Sequence, residues 1–136
     1  MATTTATVTI SSADLTGDAL SLSTTATLTK AQSSNTGLEQ TTGVARKYYA
    51  SAASAQLLLD ASDFTTSTQA SKVYIKNLST TKSETVTVQI NNASVVIEIG
   101  KLYGGDWLFL PWDGANDIEI DTSADAMTVE YLLIYE

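Results

Sequence analysis

The segment LYGGDWLFLPWDGANDIEID, residues 102–121, contains both tryptophans and the only proline of a 136-residue chain. It also contains several acidic residues and no basic residue. After its glycine pair, apolar side chains occupy both faces of an extended segment: Trp107 and Phe109 lie on one face, and Leu108 and Leu110 on the other. A strand that is apolar on both faces is buried between layers or covered by a partner. This segment therefore predicts a strand of that kind.

Two interpretations of this strand place its aromatic residues differently. Pro111 cannot donate to a ladder, so we expect it to end the strand and to put Trp112 on the following loop. In the favoured interpretation Trp107 and Phe109 belong to the core and Trp112 fills a corner of the fold, because buried aromatic residues usually serve packing. A sugar-stacking platform is a further alternative. The main alternative is a subunit or partner interface formed by Leu108, Leu110 and Trp112.

The rest of the chain alternates like a series of strands. Threonine and serine together make up 37 residues, and threonine suits the solvated face of a strand. From residue 44 onward, breaks occur every eight to twelve residues, as in sandwiches and barrels. The segment around QLLLD could also form one short helix. Eight strands without a convincing amphipathic helix predict an all-β fold, with an antiparallel, jelly-roll-like β-sandwich over residues 41–136. The candidate strands are VARKYYA, QLLLD, KVYIKNL, ETVTVQI, SVVIEIG, DWLFLP, NDIEID and AMTVEYLLIY.

Residues 1–40 differ from this body because they contain no aromatic residue. Large side chains dominate core energetics, so this part is too light to form a core alone. Short stretches still alternate between apolar and hydroxyl residues. The sequence predicts an extended N-terminal arm with two strand-like segments, whose candidate interface residues are Val8, Ile10, Leu20, Leu22 and Leu28.

The composition argues against several classes of function. The chain has no cysteine and no histidine, which removes disulfides, thiolate metal sites and the commonest general base. A net charge of −8 with scattered cations does not favour nucleic-acid binding. No carboxylate pair is singled out for glycoside hydrolysis, so a glycosidase ranks last. The N-terminal sequence has neither a secretion signal nor a membrane anchor, so we expect cytoplasmic synthesis, no membrane partner, no enzymatic activity and no cofactor.

Two charged segments each have an ordinary and a functional interpretation. The carboxylates of segment 113–121 are spaced in a way that suggests calcium, but they lack the pattern of an EF-hand loop. In a strand its acids would point away from Ile118 and Ile120, so a half-solvated strand is favoured and a surface calcium site stays open. The adjacent Arg46 and Lys47 would be a solvated strand end, or a docking point on an acidic chain.

The order of these segments resembles small tailed-phage virion structural proteins of the capsid decoration, or cement, type. The resemblance lies in KVYIKNL, the alternating Thr/Val strand after it, the glycine pair before a bulky strand that ends in proline, and the closing MTVEYLLIYE. The opening ATTTATVTISSADLTGDALSLS and the GVARKYY segment are similar to such proteins as well. The resemblance implies a non-enzymatic β-sandwich protein of the virion, which binds the head shell and stabilises it. Its expected partners are the major capsid protein or another virion protein and further copies of itself, with a homotrimer favoured.

A second hypothesis belongs to a different class of function. The chain would be a carbohydrate-binding β-sandwich of a phage tail tip or fibre. Trp112 and Tyr103 would then stack on sugar rings beside the acids.

Overall fold

The chain is almost entirely β-structure in a computed structural model, which describes residues 4–15, 17, 19–29, 37–63 and 71–135. The prediction of an all-β, antiparallel sandwich is confirmed, and each of the eight candidate body strands is present. The segment around QLLLD is a strand followed by a single 3-10 turn, Ala61–Asp63, rather than an α-helix. The strands are β1 (Thr4–Ser12), β2 (Leu20–Leu28), β3 (Gln40–Thr41), β4 (Ala45–Tyr49), β5 (Ala53–Leu59), β6 (Ser71–Asn77), β7 (Val86–Asn91), β8 (Val96–Leu102), β9 (Trp107–Trp112), β10 (Asp117–Thr122) and β11 (Met127–Tyr135).

Two sheets form the body, and every strand pair in them is antiparallel. One sheet has the order β5-β10-β7-β8. In the other, β11 pairs with β6 on one side and with both β3 and β4 on the other, and β9 lies beyond β6. Among the described strands, β8 and β9 are therefore edge strands, and the short turn at residues 103–106 connects them.

The core forms where the apolar faces of the two sheets meet. Alternation puts one side chain in two on the inner face of each strand, so each central strand contributes two fully buried β-branched or leucine side chains. Burial of this apolar surface is the main source of stability for such a body. The fully buried β-branched and leucine residues of the central strands are Val73, Ile75, Val86, Val88, Ile118, Ile120, Val129 and Leu133.

Strand β9 corrects the favoured interpretation of the opening segment. Leu110 pairs with Val73 and Leu108 with Ile75, so the two leucines face the core. Trp107 and Phe109 instead lie on the outer face, and Trp107 is 51% exposed. The local sequence is apolar at both parities and could not decide the orientation; pairing with β6 decides it.

The expected break at Pro111 is also wrong, because β9 continues to Trp112, which pairs with Ser71. The proline is tolerated because β9 is an edge strand, where a backbone N–H can be missing without loss to the sheet. Trp112 is only 5% exposed and donates its indole N–H to the carbonyl oxygen of Asn116 at 2.9 Å. It therefore packs inside the body.

Strands β1 and β2 pair antiparallel over their whole length. The nine residue pairs run from Thr4–Leu28 to Ser12–Leu20. The two predicted strand-like segments thus pair with each other. We call β1 and β2 the N-terminal ribbon.

Candidate interaction surfaces

The N-terminal ribbon has two chemically different faces. The strand register places the apolar residues together on one face, where Ile10 pairs with Leu22. The opposite face consists of hydroxyl residues, and two cross-strand pairs join them: Thr7 with Thr25 at 2.8 Å and Thr9 with Ser23 at 3.2 Å. The apolar face contains Ala6, Val8, Ile10, Leu20, Leu22 and Ala26.

The ribbon is buried only at its end, where Leu28 meets Leu38; we call this end the root. Leu28 and Leu38 are buried, the Leu38 N–H donates to the carbonyl oxygen of Leu28 at 3.0 Å, and Thr4 Oγ1 donates to the carbonyl oxygen of Leu38 at 3.4 Å. Farther out, Ile10 is 50% and Leu22 49% exposed. A two-stranded ribbon is at best marginally stable in water without cover. Of the predicted interface residues in this segment, Leu28 is committed to its own chain, whereas Val8 is half-buried and Ile10, Leu20 and Leu22 are exposed.

The outer face of the β11-containing sheet combines cations with aromatic rings. Tyr74 lies opposite Phe109, and its ring centroid is 6.3 Å from that of Trp107. Partial burial, and to a smaller extent the neighbouring Glu130 carboxylate, raise the pKa of the Tyr74 hydroxyl. We call this surface the cationic face. It contains Arg46, Lys72, Lys76, Tyr74, Trp107 and Phe109.

Arg46 and Lys47 point to different sides of β4 and do not form a single docking point. Arg46 lies on the cationic face, where its Nε donates to Glu130 Oε2 at 2.9 Å. Lys47 points inward at the edge of the sandwich, donates to the carbonyl oxygen of Leu57 at 2.7 Å and lies 5.5 Å from the centre of the Tyr49 ring. Lys47 therefore links the two sheets.

The hydroxyl group of Tyr49, whose ring lies beside this link, is enclosed by the fold. Its oxygen is buried and finds no hydrogen-bond partner among the described residues. Burial, and to a smaller extent Tyr131, raise the pKa of Tyr49 to about 12. Burial disfavours the charged phenolate, so this tyrosine keeps its proton in strongly alkaline solution.

The acidic strand β10 is more enclosed than a half-solvated strand would be. Its isoleucines are fully buried, and Glu119 is also buried. Glu119 Oε1 accepts from Asn91 Nδ2 at 2.9 Å, and Asp121 Oδ1 accepts from the Ala55 N–H at 2.6 Å. The carboxylates mainly fix neighbouring strands and turns. Among the residues that the structure describes, no group of three or more suitable side chains could hold a metal ion.

Strand β8 presents a surface that the sequence analysis did not identify. It pairs with β7 on one side, and no described strand pairs with its other side. Ile97 lies opposite Ile90 on the inner side of the sheet yet is 56% exposed. Ile99 is the extra residue of a bulge, because Gly100 pairs with Val88 and Glu98 with Gln89. We call this exposed apolar strip the β8 edge: Val95, Val96, Ile97 and Ile99.

Local sequence could have shown part of this surface. SVVIEIG has apolar residues at consecutive positions, which is the same signal that marked DWLFLP. Which of the two strands lies at an open edge depends on sheet order, and sheet order is not a local property.

Comparison with protein-family models, with curated proteins and with solved structures finds no match to this chain. None of the helices among the described residues is long and apolar enough to cross a membrane.

Proposed function

We propose that this chain is a non-enzymatic structural protein of a phage virion, a capsid decoration protein that binds the head shell and stabilises it. The observation that carries the proposal is the N-terminal ribbon. It presents an exposed apolar face without a core of its own, and such a face gains stability only when another molecule covers it. A protein repeated over an assembled shell has such molecules beside it at every copy.

The order of the body strands supports the expected jelly-roll form of the sandwich. Numbered from one to eight from β4 to β11, the strands follow the orders 1-8-3-6 and 2-7-4-5 in the two sheets. These orders support the proposal of a jelly roll, a fold used in viral shells. Folds host many functions, so the fold alone does not establish a role in virions.

The cationic face is the second surface suited to a shell partner. It groups three cations with one carboxylate, Glu130, which pairs with Arg46, so the face stays positive on a chain whose net charge is −8. It can therefore approach an acidic surface that the rest of the body would repel. Its exposed Trp107 adds the kind of aromatic anchor that interfaces favour.

The rival proposal is a sugar-binding module of a tail tip or fibre. Burial of Trp112 removes one of the two rings proposed for stacking, although Tyr103 is exposed. A glycan array with the purified chain tests this rival, and Tyr103→Ala is the variant that should abolish any binding found there.

The test of the decoration proposal uses purified particles from the source that encodes the chain. Quantitative mass spectrometry should find the chain in numbers comparable to those of the shell protein, and its loss should make heads burst at lower temperature. A variant that lacks residues 2–30 should fold but fail to bind particles. Absence of the chain from particles, or a copy number typical of a tail tip, would overturn the proposal.

A further inference from the structure

Two apolar surfaces of this chain are exposed at once: the apolar face of the N-terminal ribbon and the β8 edge. The N-terminal ribbon has an apolar face without a core beneath it. The β8 edge has exposed apolar side chains beside a strand that pairs on one side only within the described residues. An exposed apolar edge strand is a template for pairing with another strand.

We infer that the N-terminal ribbon of one copy adds to the β8 edge of a second copy. The added ribbon continues the sheet beyond β8. Its apolar face lies on the inner side with Ile97, and its hydroxyl face lies on the outer side with polar residues such as Thr87 and Gln89. Backbone pairing and apolar burial then act together at one interface.

The charge distribution favours a second copy as the occupant. At −8 per chain, two copies repel each other over most of their surface. The strand segments of the ribbon, residues 4–12 and 20–28, contain no charged residue, and β8 contains one acid and one base, Glu98 and Lys101. The ribbon and the β8 edge are thus parts of the surface that can meet without a charge penalty.

The dimensions of the two segments also agree. Strand β8 has seven residues and each ribbon strand nine. At about 3.3 Å per residue these lengths correspond to roughly 23 Å and 30 Å. One ribbon therefore covers the whole of β8.

The position of the ribbon root favours contact between copies over contact within one chain. The root at Leu38 adjoins β3, which lies at one edge of the β3-β11-β6-β9 path. Strand β8 follows β7 at the opposite side of the body, where the short turn connects it to β9. Among the described residues the ribbon forms a two-stranded sheet of its own and does not pair with the β8 of its chain, so that β8 edge stays uncovered. A neighbouring copy can supply the ribbon that covers it.

The interface joins different surfaces of the two copies, so each copy both gives a ribbon and receives one. Such head-to-tail contacts close into a ring when the rotation between copies permits it. A closed ring leaves no ribbon and no β8 edge uncovered. We therefore expect a closed oligomer of the purified chain.

The test measures the mass of the purified chain by light scattering during size-exclusion chromatography. The wild type should have a defined mass that is a multiple of 14.4 kDa. The ribbon variant Ile10→Lys, Leu22→Lys and the edge variant Ile97→Lys, Ile99→Lys should each be monomeric, because the four positions are exposed in one copy but buried in the proposed contact. Thr9→Lys, Ser23→Lys is the matched control on the hydroxyl face and should keep the wild-type mass.

Mixing the two monomeric variants gives the sharpest result. One intact ribbon and one intact β8 edge remain in the mixture, so a one-to-one complex should form. Contact between two ribbons would instead leave the edge variant oligomeric, and the mixture would contain no such complex. Tryptophan fluorescence reports folding, since both tryptophans belong to β9 in the body.

A monomeric wild type at all concentrations, or an oligomer that the edge variant leaves unchanged, would overturn the inference. Hydrogen exchange gives a second measurement. The amides of β8 should be protected in the wild type and should exchange at least tenfold faster in the ribbon variant. The inference does not depend on the virion proposal. An intact oligomer that is absent from particles would refute only the virion proposal, and a monomer present on particles would refute only the ribbon contact.

Discussion

Asn77 gives the most direct test of how the body is held together. Its side chain is fully buried at the end of β6. The Nδ2 group donates to the carbonyl oxygens of Glu84 at 2.9 Å and Leu102 at 3.0 Å, and Oδ1 accepts from the Ser79 N–H at 3.0 Å. Its main chain also bonds to the turn between β8 and β9, at Gly105. One side chain thus links β6, the 78–84 loop and the strand that carries the β8 edge.

The substitution Asn77→Asp removes donors while it preserves shape. The new carboxylate can still accept from Ser79, but the carbonyl oxygens of Glu84 and Leu102 lose their partner and face a negative charge. Each buried polar group left without a partner costs about 1–3 kcal/mol. We expect the free energy of unfolding to decrease by about 4 kcal/mol at pH 7. That is a large fraction of the 5–15 kcal/mol typical of such domains.

The loss should depend on pH in one direction. Burial and the two facing carbonyl groups raise the folded-state pKa of the new carboxyl above its unfolded value of about 3.9. Its protonated form can donate one hydrogen bond, so stability is regained as the pH falls through the folded-state pKa and is lost as the pH rises through it. Urea unfolding followed by tryptophan fluorescence at pH 7 and pH 5 measures this difference.

Asn92→Asp is the matched control for this substitution. Asn92 is exposed, and its Oδ1 accepts from the N–H groups of Ser94 and Val95. A carboxylate oxygen can accept the same bonds, so the change should stay within about 0.5 kcal/mol. The reasoning about Asn77 is refuted if both substitutions lower the free energy of unfolding by similar amounts.

Two further predictions concern the same body. Gly104→Ala would place a Cβ against the main-chain carbonyl of Thr81, so we expect urea unfolding to show that the free energy of unfolding decreases by about 2–3 kcal/mol. The control is Gly100→Ala: Gly100 has open space around it, so the free energy of unfolding should change by less than about 0.5 kcal/mol. Equal losses in the two variants would contradict the clash. Because the pKa of Tyr49 is raised to about 12, the native state keeps a proton that the unfolded state loses near pH 10, so stability should fall between pH 10 and pH 12 by at most about 1.4 kcal/mol per pH unit. Tyr49→Phe should remove this part of the alkaline loss, and parallel stability curves for the two proteins would count against it.

The strands of the body could be predicted from sequence because their pattern is local. In KVYIKNL the core side chains Val73 and Ile75 alternate with half-exposed lysines and a tyrosine, and the period of two defines both the strand and its inner face. The same holds for β7 and β10. Where one face of a strand is polar, the sequence alone fixes its orientation.

Orientation could not be predicted where both faces are apolar. In DWLFLP either set of alternate side chains could face the core. The larger rings of Trp107 and Phe109 favoured the wrong face. The structure turns Leu108 and Leu110 inward because they pair with Val73 and Ile75, whose orientation is set by their own strand. A one-residue shift in that pairing would reverse both faces of β9. The partner strand therefore supplies information that β9 lacks.

Local sequence patterns could not predict surfaces that combine residues from strands distant in sequence. The cationic face combines Arg46 of β4 with Lys72 and Lys76 of β6, which come together only because β11 lies between their strands. In sequence these cations appear scattered, and the adjacent pair Arg46 and Lys47 is separated onto opposite sides of β4. Charged side chains in a β-sandwich are grouped by the face of the sheet. Their spacing along the sequence therefore does not show how many cations lie together.

The placement of charge also gives the association of this chain a direction. The cationic face and the acidic outer side of β10 lie on opposite sheets, and the net charge of −8 makes two copies repel each other at long range. The ribbon and the β8 edge carry almost none of this charge, and apolar burial is the force that salt screens least. An edge strand with exposed isoleucines would be an aggregation hazard if any strand could add to it. Because the neutral ribbon meets the β8 edge without bringing like charges together, the proposed contact covers that edge and removes it as a site of aggregation.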